Sequence, residues 1–165
     1  MQTRTEQDVS TRQKLKTKKQ KKRGIPTHLG ERKEKGLTIK RVFTKEGIHP
    51  YDEIKWTKRK TVISNPDGST VFEMNNVEVP DFWSQLATDI VASKYFRKAG
   101  VPGELGRETS VKQLVSRVAH SIRLAAEKFG GYFASPKDAE AFEMELTHLL
   151  VHQKLAFNSP VWFNV

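Results

Sequence analysis

The 165-residue chain has no cysteine. That excludes disulfides, thiolate metal sites and cysteine nucleophiles within it. Apolar residues are also scarce. The set AVILMFWYC makes up 36% of the chain, against roughly 45–50% in globular domains on a count that also includes Gly, so part of the chain is expected to stay out of any core. No apolar run reaches the roughly 18 residues of a membrane helix. The N-terminus lacks the apolar centre of a signal peptide. The expectation is a cytoplasmic protein with no membrane partner. Acidic residues are rare at the front: residues 1–60 hold 19 Lys/Arg against 7 Asp/Glu, a surplus of +12, while residues 61–165 hold 10 against 12, or −2. The net charge of +10 therefore belongs to the front of the chain and does not describe the rest.

Residues 1–36 read as a basic disordered arm. The run Lys14-Leu15-Lys16-Thr17-Lys18-Lys19-Gln20-Lys21-Lys22-Arg23 repels itself and carries one apolar side chain, too little to offset the entropy of ordering. Two readings stand for this arm. Clustered Lys/Arg displace counterions from phosphates, as in a nucleic-acid contact; a solvated tail needs no partner. The tail is favoured, because no aromatic residues are interleaved to stack on bases.

Residues 37–80 form the second segment. Leu37, Ile39 and Arg41 alternate as in a short strand. Thr61-Val62-Ile63 and Thr70-Val71-Phe72 flank Asn65-Pro66-Asp67-Gly68-Ser69, and this pattern predicts a hairpin. A lone hairpin is marginal in water, so it must dock on something.

Residues 81–165 read as helical. The rows Phe82, Leu86, Ile90 and Trp83, Ala87, Val91, Tyr95 predict a first helix with a wide apolar face, starting at Pro80-Asp81 and ending before Gly100. Residues 100–107 (GVPGELGR) are too rich in Gly and Pro for a helix. Ser110 and Gln113 form a capping box for a second helix that closes at Gly130-Gly131. Ser135, Pro136 and Asp138 open a third, with the apolar stripe Ala139, Phe142, Leu146, Leu149, Leu150. The chain then turns at Asn158-Ser159-Pro160 into Val161-Trp162-Phe163, a composition that predicts a buried strand and a fold continuing past Val165. The fold class is α+β, mainly α.

Little in this pattern carries chemistry by itself. Glu145, His148 and His152 share a helix face at offsets of three and four, but carboxylate-bridged metal bundles need a second Glu-x-x-His and further acids. His120 has no Glu three residues before it. A half-solvated edge, with Glu145 and His148 pairing locally, is the favoured reading, and no metal site is assigned. The carboxylates Asp81, Asp89 and Glu127 show no dyad spacing. Ser159 lacks the Gly-x-Ser-x-Gly setting of a nucleophile and reads as a turn-former before Pro160.

Three blocks in order, WSQLATDIVASKYF (residues 83–96), GVPGELGRETSVKQL (100–114) and AFNSPVWFNV (156–165), resemble the N-terminal part of adenosylcobalamin-dependent (class II) ribonucleotide reductases. The similarity runs from about Gly36 to Val165. Members of that family are several times longer, so the chain looks like an N-terminal fragment or one product of a split gene. The resemblance implies a helical cap leading into the first strand of a ten-stranded α/β barrel that lies beyond these residues. It implies reduction of ribonucleotides to deoxyribonucleotides for DNA synthesis and repair, on ribonucleoside diphosphates or triphosphates. Adenosylcobalamin, bound mainly outside this segment, would start a radical on a cysteine, and a cysteine pair would supply reducing equivalents. The missing cysteines depart from the complete family pattern and fit truncation, so no catalytic residue is assigned and the isolated chain is expected to be inactive. By resemblance Ser159 is a substrate contact, and a hydroxyl with neighbouring backbone amides at a turn suits a phosphate or ribose. The implied partners are the ribonucleotide, a downstream reductase chain or domain, and a second copy as a candidate homodimer. The alternative is a small basic nucleic-acid-binding module using residues 1–60.

Overall fold

The computed structural model describes residues 36–165. The basic arm, apart from Gly36, lies outside the described residues. The first regular elements are two antiparallel strands, β1 (Trp56–Ser64) and β2 (Thr70–Pro80), longer at both outer ends than the β-branched runs alone suggest. Their loop follows the expected chemistry. Asp67 accepts hydrogen bonds from the Ser69 amide and hydroxyl at 2.8 and 2.6 Å, and Gly68 takes φ +85°.

One extra residue sets which face of the hairpin is buried. Arg59 pairs with Val77 and Thr61 with Met74, so Lys60 opposes both Asn75 and Asn76, and Asn76 adopts φ +58°. This bulge shifts the inward parity of β2. Met74 is buried on one side of it and Val77 and Val79 on the other; unbroken alternation would have buried Asn76 instead.

The expected first helix is shorter than its apolar pattern. β2 runs through Pro80, and residues 81–84 form a turn held by the Arg59 guanidinium, which donates to the carbonyls of Asp81 (2.9 Å) and Trp83. Helix α1 (Gln85–Ile90) starts only after Ser84, whose hydroxyl accepts from the Ala87 amide at 3.0 Å. A π turn (Val91–Tyr95) follows, ending at Phe96. Its two apolar rows part company. Trp83, Ala87, Val91 and Tyr95 pack on the core, whereas Phe82, Leu86 and Ile90 are exposed.

Helices α2 (Val111–Phe129) and α3 (Pro136–Val151) match the expected spans. Ser110 and Gln113 close the capping box, Gly130 ends α2 at φ +70°, and Ser135 caps α3 with Pro136 in its first turn. The hairpin docks on the start of α2. The Glu78 amide donates to the Thr109 carbonyl at 2.9 Å, the Ser110 hydroxyl donates to the Glu78 carboxylate, and Lys112 Nζ lies 3.2 Å from Glu78 Oε1. These bonds hold the Glu78 carboxyl below its ordinary range despite the opposing effect of burial. The core then joins Val77 and Val79 to Val111, Leu114, Val115 and Val118 of α2 and Leu146, Leu150 and Val151 of α3. The buried Trp83 indole locks this contact by donating to the Val151 carbonyl at 2.8 Å.

The alternating segment at Leu37 forms a single bridge to Phe133 rather than a strand in the sheet. There the chain approaches so closely that a Cβ on Gly36 would lie 2.5 Å from the Phe133 carbonyl carbon. The expected strand at Val161-Trp162-Phe163 is corrected as well: Ser159–Asn164 is a short helix, α4, with Pro160 in its first turn. The described sheet has only two strands, and nothing in it pairs with this segment, so its backbone groups bond locally. The described residues thus form a two-stranded sheet packed on helices, an α+β arrangement.

Candidate functional site: the Asn158-Ser159-Pro160 turn

Ser159 sits at the start of α4 with its side chain exposed. Its hydroxyl lies 3.1 Å from the Tyr95 hydroxyl at the end of the π turn. The Tyr95 ring packs against Trp162 and Phe163 of α4, with centroids 6.1 and 5.4 Å apart. Trp162 is half-buried and its indole donates to the Phe157 carbonyl at 2.9 Å, closing the turn from the other side.

Arg117 of α2 fastens the far end of α4. Its guanidinium donates to the carbonyls of Trp162 (3.1 Å), Tyr95 (3.3 Å) and Val165. The buried Glu108 carboxylate orients it at 2.8 Å, and also accepts from the Arg97 amide at 2.8 Å. A half-open apolar cavity of about 320 Å³ adjoins the turn, lined in part by Trp83, Ala87, Tyr95, Leu114, Leu150 and Trp162. It lies near the lower end of the roughly 300–1,000 Å³ typical of small-molecule pockets.

Glu145 and His148 share one face of α3 and His152 follows as its C-cap, but the three side chains do not converge on a common point. The Glu145 carboxylate accepts from the amides of Phe43 and Thr44 at 3.1 and 2.8 Å and from the Thr44 hydroxyl at 2.6 Å. Burial raises the Glu145 carboxyl, and these bonds outweigh it to bring the group below its usual range. The expected Glu145–His148 pair is therefore replaced by a Glu145–Thr44 contact. His148 stacks between Phe43 and His152, at 5.0 and 3.9 Å, and neither of its buried ring nitrogens has a hydrogen-bond partner among the described residues. Desolvation, and then the neighbouring His152, push its imidazole down. His120 instead reaches across to Glu143 at 3.0 Å, joining α2 to α3. Among the described residues no three His, Cys, Asp or Glu side chains are grouped to hold a metal ion, and no helix is long and apolar enough to cross a membrane.

Two residues of this arrangement were not legible as functional. Tyr95 reads as one more apolar position in a helical row. Arg117 carries no signal in the sequence, since its partners lie between 9 and 48 residues away along the chain.

The described residues thus set a Ser-Pro turn at the start of a short helix beside a two-stranded sheet packed on helices. The family model described as class II vitamin B12-dependent ribonucleotide reductase matches residues 57–153. A vitamin B12-dependent ribonucleotide reductase of Streptomyces clavuligerus is 54% identical over 137 residues, covering 82% of this chain and 14% of that protein. One of Rhodopirellula baltica is 45% identical over 124 residues (73% and 11%), and one of Agrobacterium fabrum 38% identical over 159 residues (78% and 12%). The chain belongs to the class II, vitamin B12-dependent ribonucleotide reductase family. It spans only 14% of the length of the Streptomyces relatives.

Proposed function

We propose that this chain is the N-terminal part of a cobalamin-dependent ribonucleotide reductase, where it supplies a helical cap and one wall of the nucleotide pocket. The observation that carries this reading is the exposed Ser159 hydroxyl, held by Tyr95 at a turn of a chain belonging to that family. A fixed, solvent-facing hydroxyl can donate to or accept from a nucleotide oxygen. The reacting sulfurs have no counterpart here, because the chain has no cysteine. Radical generation and reduction of the ribose are assigned to residues outside this segment, as is the ten-stranded barrel.

The residues present do not fit adenosylcobalamin. The cavity beside Tyr95 is apolar, half-open and about 320 Å³, near the small end of pockets for drug-sized ligands, and a corrinoid is much larger than those. The cofactor of this family is therefore placed against the remainder of the enzyme. What the segment contributes is positioning and shielding, the protein's share in cofactor chemistry. The nucleic-acid-binding alternative rests mainly on residues outside the described ones, and the comparisons do not support it.

The test is nucleotide reduction by the chain alone and after mixing with a cysteine-bearing polypeptide that carries the remainder of a relative, with adenosylcobalamin and a reductant present. The expected result is no turnover by the chain alone and turnover on mixing. Turnover by the chain alone would refute the reading. So would failure of the mixture together with nucleic-acid binding that falls steeply with salt.

A further inference from the structure

The geometry points to Tyr95 as a positioning residue for substrate binding, acting through Ser159. This inference rests on the reading of Ser159 as a nucleotide contact and extends it to a residue 64 positions away in the chain. The two hydroxyls lie 3.1 Å apart. A phenol O–H is a better hydrogen-bond donor than an aliphatic hydroxyl, so the tyrosine is the natural donor of the pair. When it donates to Ser159 Oγ, the serine keeps its own proton to offer to an acceptor oxygen of the nucleotide. The phenol thus sets the Ser159 rotamer and the direction of its proton.

Tyr95 is itself well fixed. It ends the π turn, a feature frequent at functional sites. Its ring contacts Trp162 and Phe163, and its carbonyl accepts from Arg117 at 3.3 Å. The Tyr95 ring packs against the core, and its hydroxyl bonds to the Ser159 hydroxyl. A tyrosine serving only to fill space at this position would work as well as phenylalanine. The hydroxyl is what the inference assigns a task.

Two measurements test it, using Tyr95→Phe, which keeps the ring, together with Ser159→Ala and the double variant. In the full 165-residue chain, amide hydrogen exchange across residues 157–165 should speed up several-fold in either single variant. The double variant should exchange no faster than the singles, and the thermal midpoint should stay put. Unchanged exchange in Tyr95→Phe overturns the inference. In the reductase assembled from this chain and its cysteine-bearing complement, KM for the ribonucleotide should rise roughly threefold to tenfold in Tyr95→Phe with kcat little changed, the size of one modest hydrogen bond. The effect should not add to that of Ser159→Ala. If Ser159→Ala raises KM and Tyr95→Phe does not, the positioning role fails and the substrate contact survives. If neither raises KM, the substrate-contact reading falls and the inference with it.

Discussion

The Arg117 guanidinium lies 2.8 Å from the Glu108 carboxylate, with the two side chains 11% and 3% exposed. This ion pair joins α2 to the loop before it and, through the backbone acceptors of Arg117, to α4. The two partners are not equivalent. Without Arg117 the buried Glu108 carboxylate keeps only the Arg97 amide at 2.8 Å. Without the Glu108 charge, Arg117 still has the carbonyls of Tyr95, Trp162 and Val165. Arg117→Met is therefore expected to cost about 3–5 kcal/mol of unfolding free energy, the usual result of stranding a buried charge. Glu108→Gln should cost about 1–3 kcal/mol, since the amide oxygen can still accept. Urea denaturation of both variants checks the order. Equal losses would mean that the backbone acceptors contribute nothing.

Asn76 at φ +58° determines which side chains of β2 face the core. Asparagine tolerates this left-handed conformation better than most residues, and a β-branched residue tolerates it poorly. Asn76→Val is expected to destabilise the fold by roughly 1–2 kcal/mol, and Asn76→Gly to be neutral or mildly stabilising. Thermal melts distinguish them. If Asn76→Val melts like the parent, the bulge does not hold the register of Val77 and Val79.

Two leucines make the difference between legible and illegible positions measurable. Leu114 is 2% exposed and Leu86 is 69% exposed, although both sit in apolar rows at helical spacing. Leu114→Ala should cost about 2–5 kcal/mol, and Leu86→Ala should stay within about 0.5 kcal/mol. The α2 and α3 helices were readable because their caps and their apolar stripes agreed: Ser110 with Gln113, and Ser135 with Pro136. The 81–96 region was not, because two rows competed and nothing local says which one meets the core. The Arg59 side chain, contributed by β1, decides it by holding the 81–84 turn. The terminal strand was misread for a related reason. Val161, Trp162 and Phe163 suit a strand, but a strand needs an edge to pair with, and Pro160 instead starts a helix. Of the candidate site, Ser159 was accessible only through resemblance. Tyr95 and Arg117 acquire their roles from contacts made far along the chain.

The His148 imidazole gives the fold an acid-sensitive point. Both ring nitrogens are buried without a hydrogen-bond partner among the described residues, and the ring is stacked between Phe43 and His152. Desolvation first, then the charges of His152 and Lys154, hold its pKa below the ordinary value of 6.5; Glu145 and Glu53 oppose them but do not prevail. The unfolded chain thus takes up a proton near pH 6.5 that the folded chain resists until lower pH, so the unfolded state binds more protons in that window. Stability should be constant above the ordinary value and fall as pH drops from about 6.5 toward the lower folded value. His148→Phe keeps an aromatic ring in the stack and removes the titration. It should flatten the dependence of the urea midpoint between about pH 7 and 5. Loss below the carboxylate range should remain, because Glu145 and Glu78 are both held below 4.5 in the folded state. If the parent and the variant lose stability in parallel from neutral pH downward, the buried ring is not the group that responds to acid.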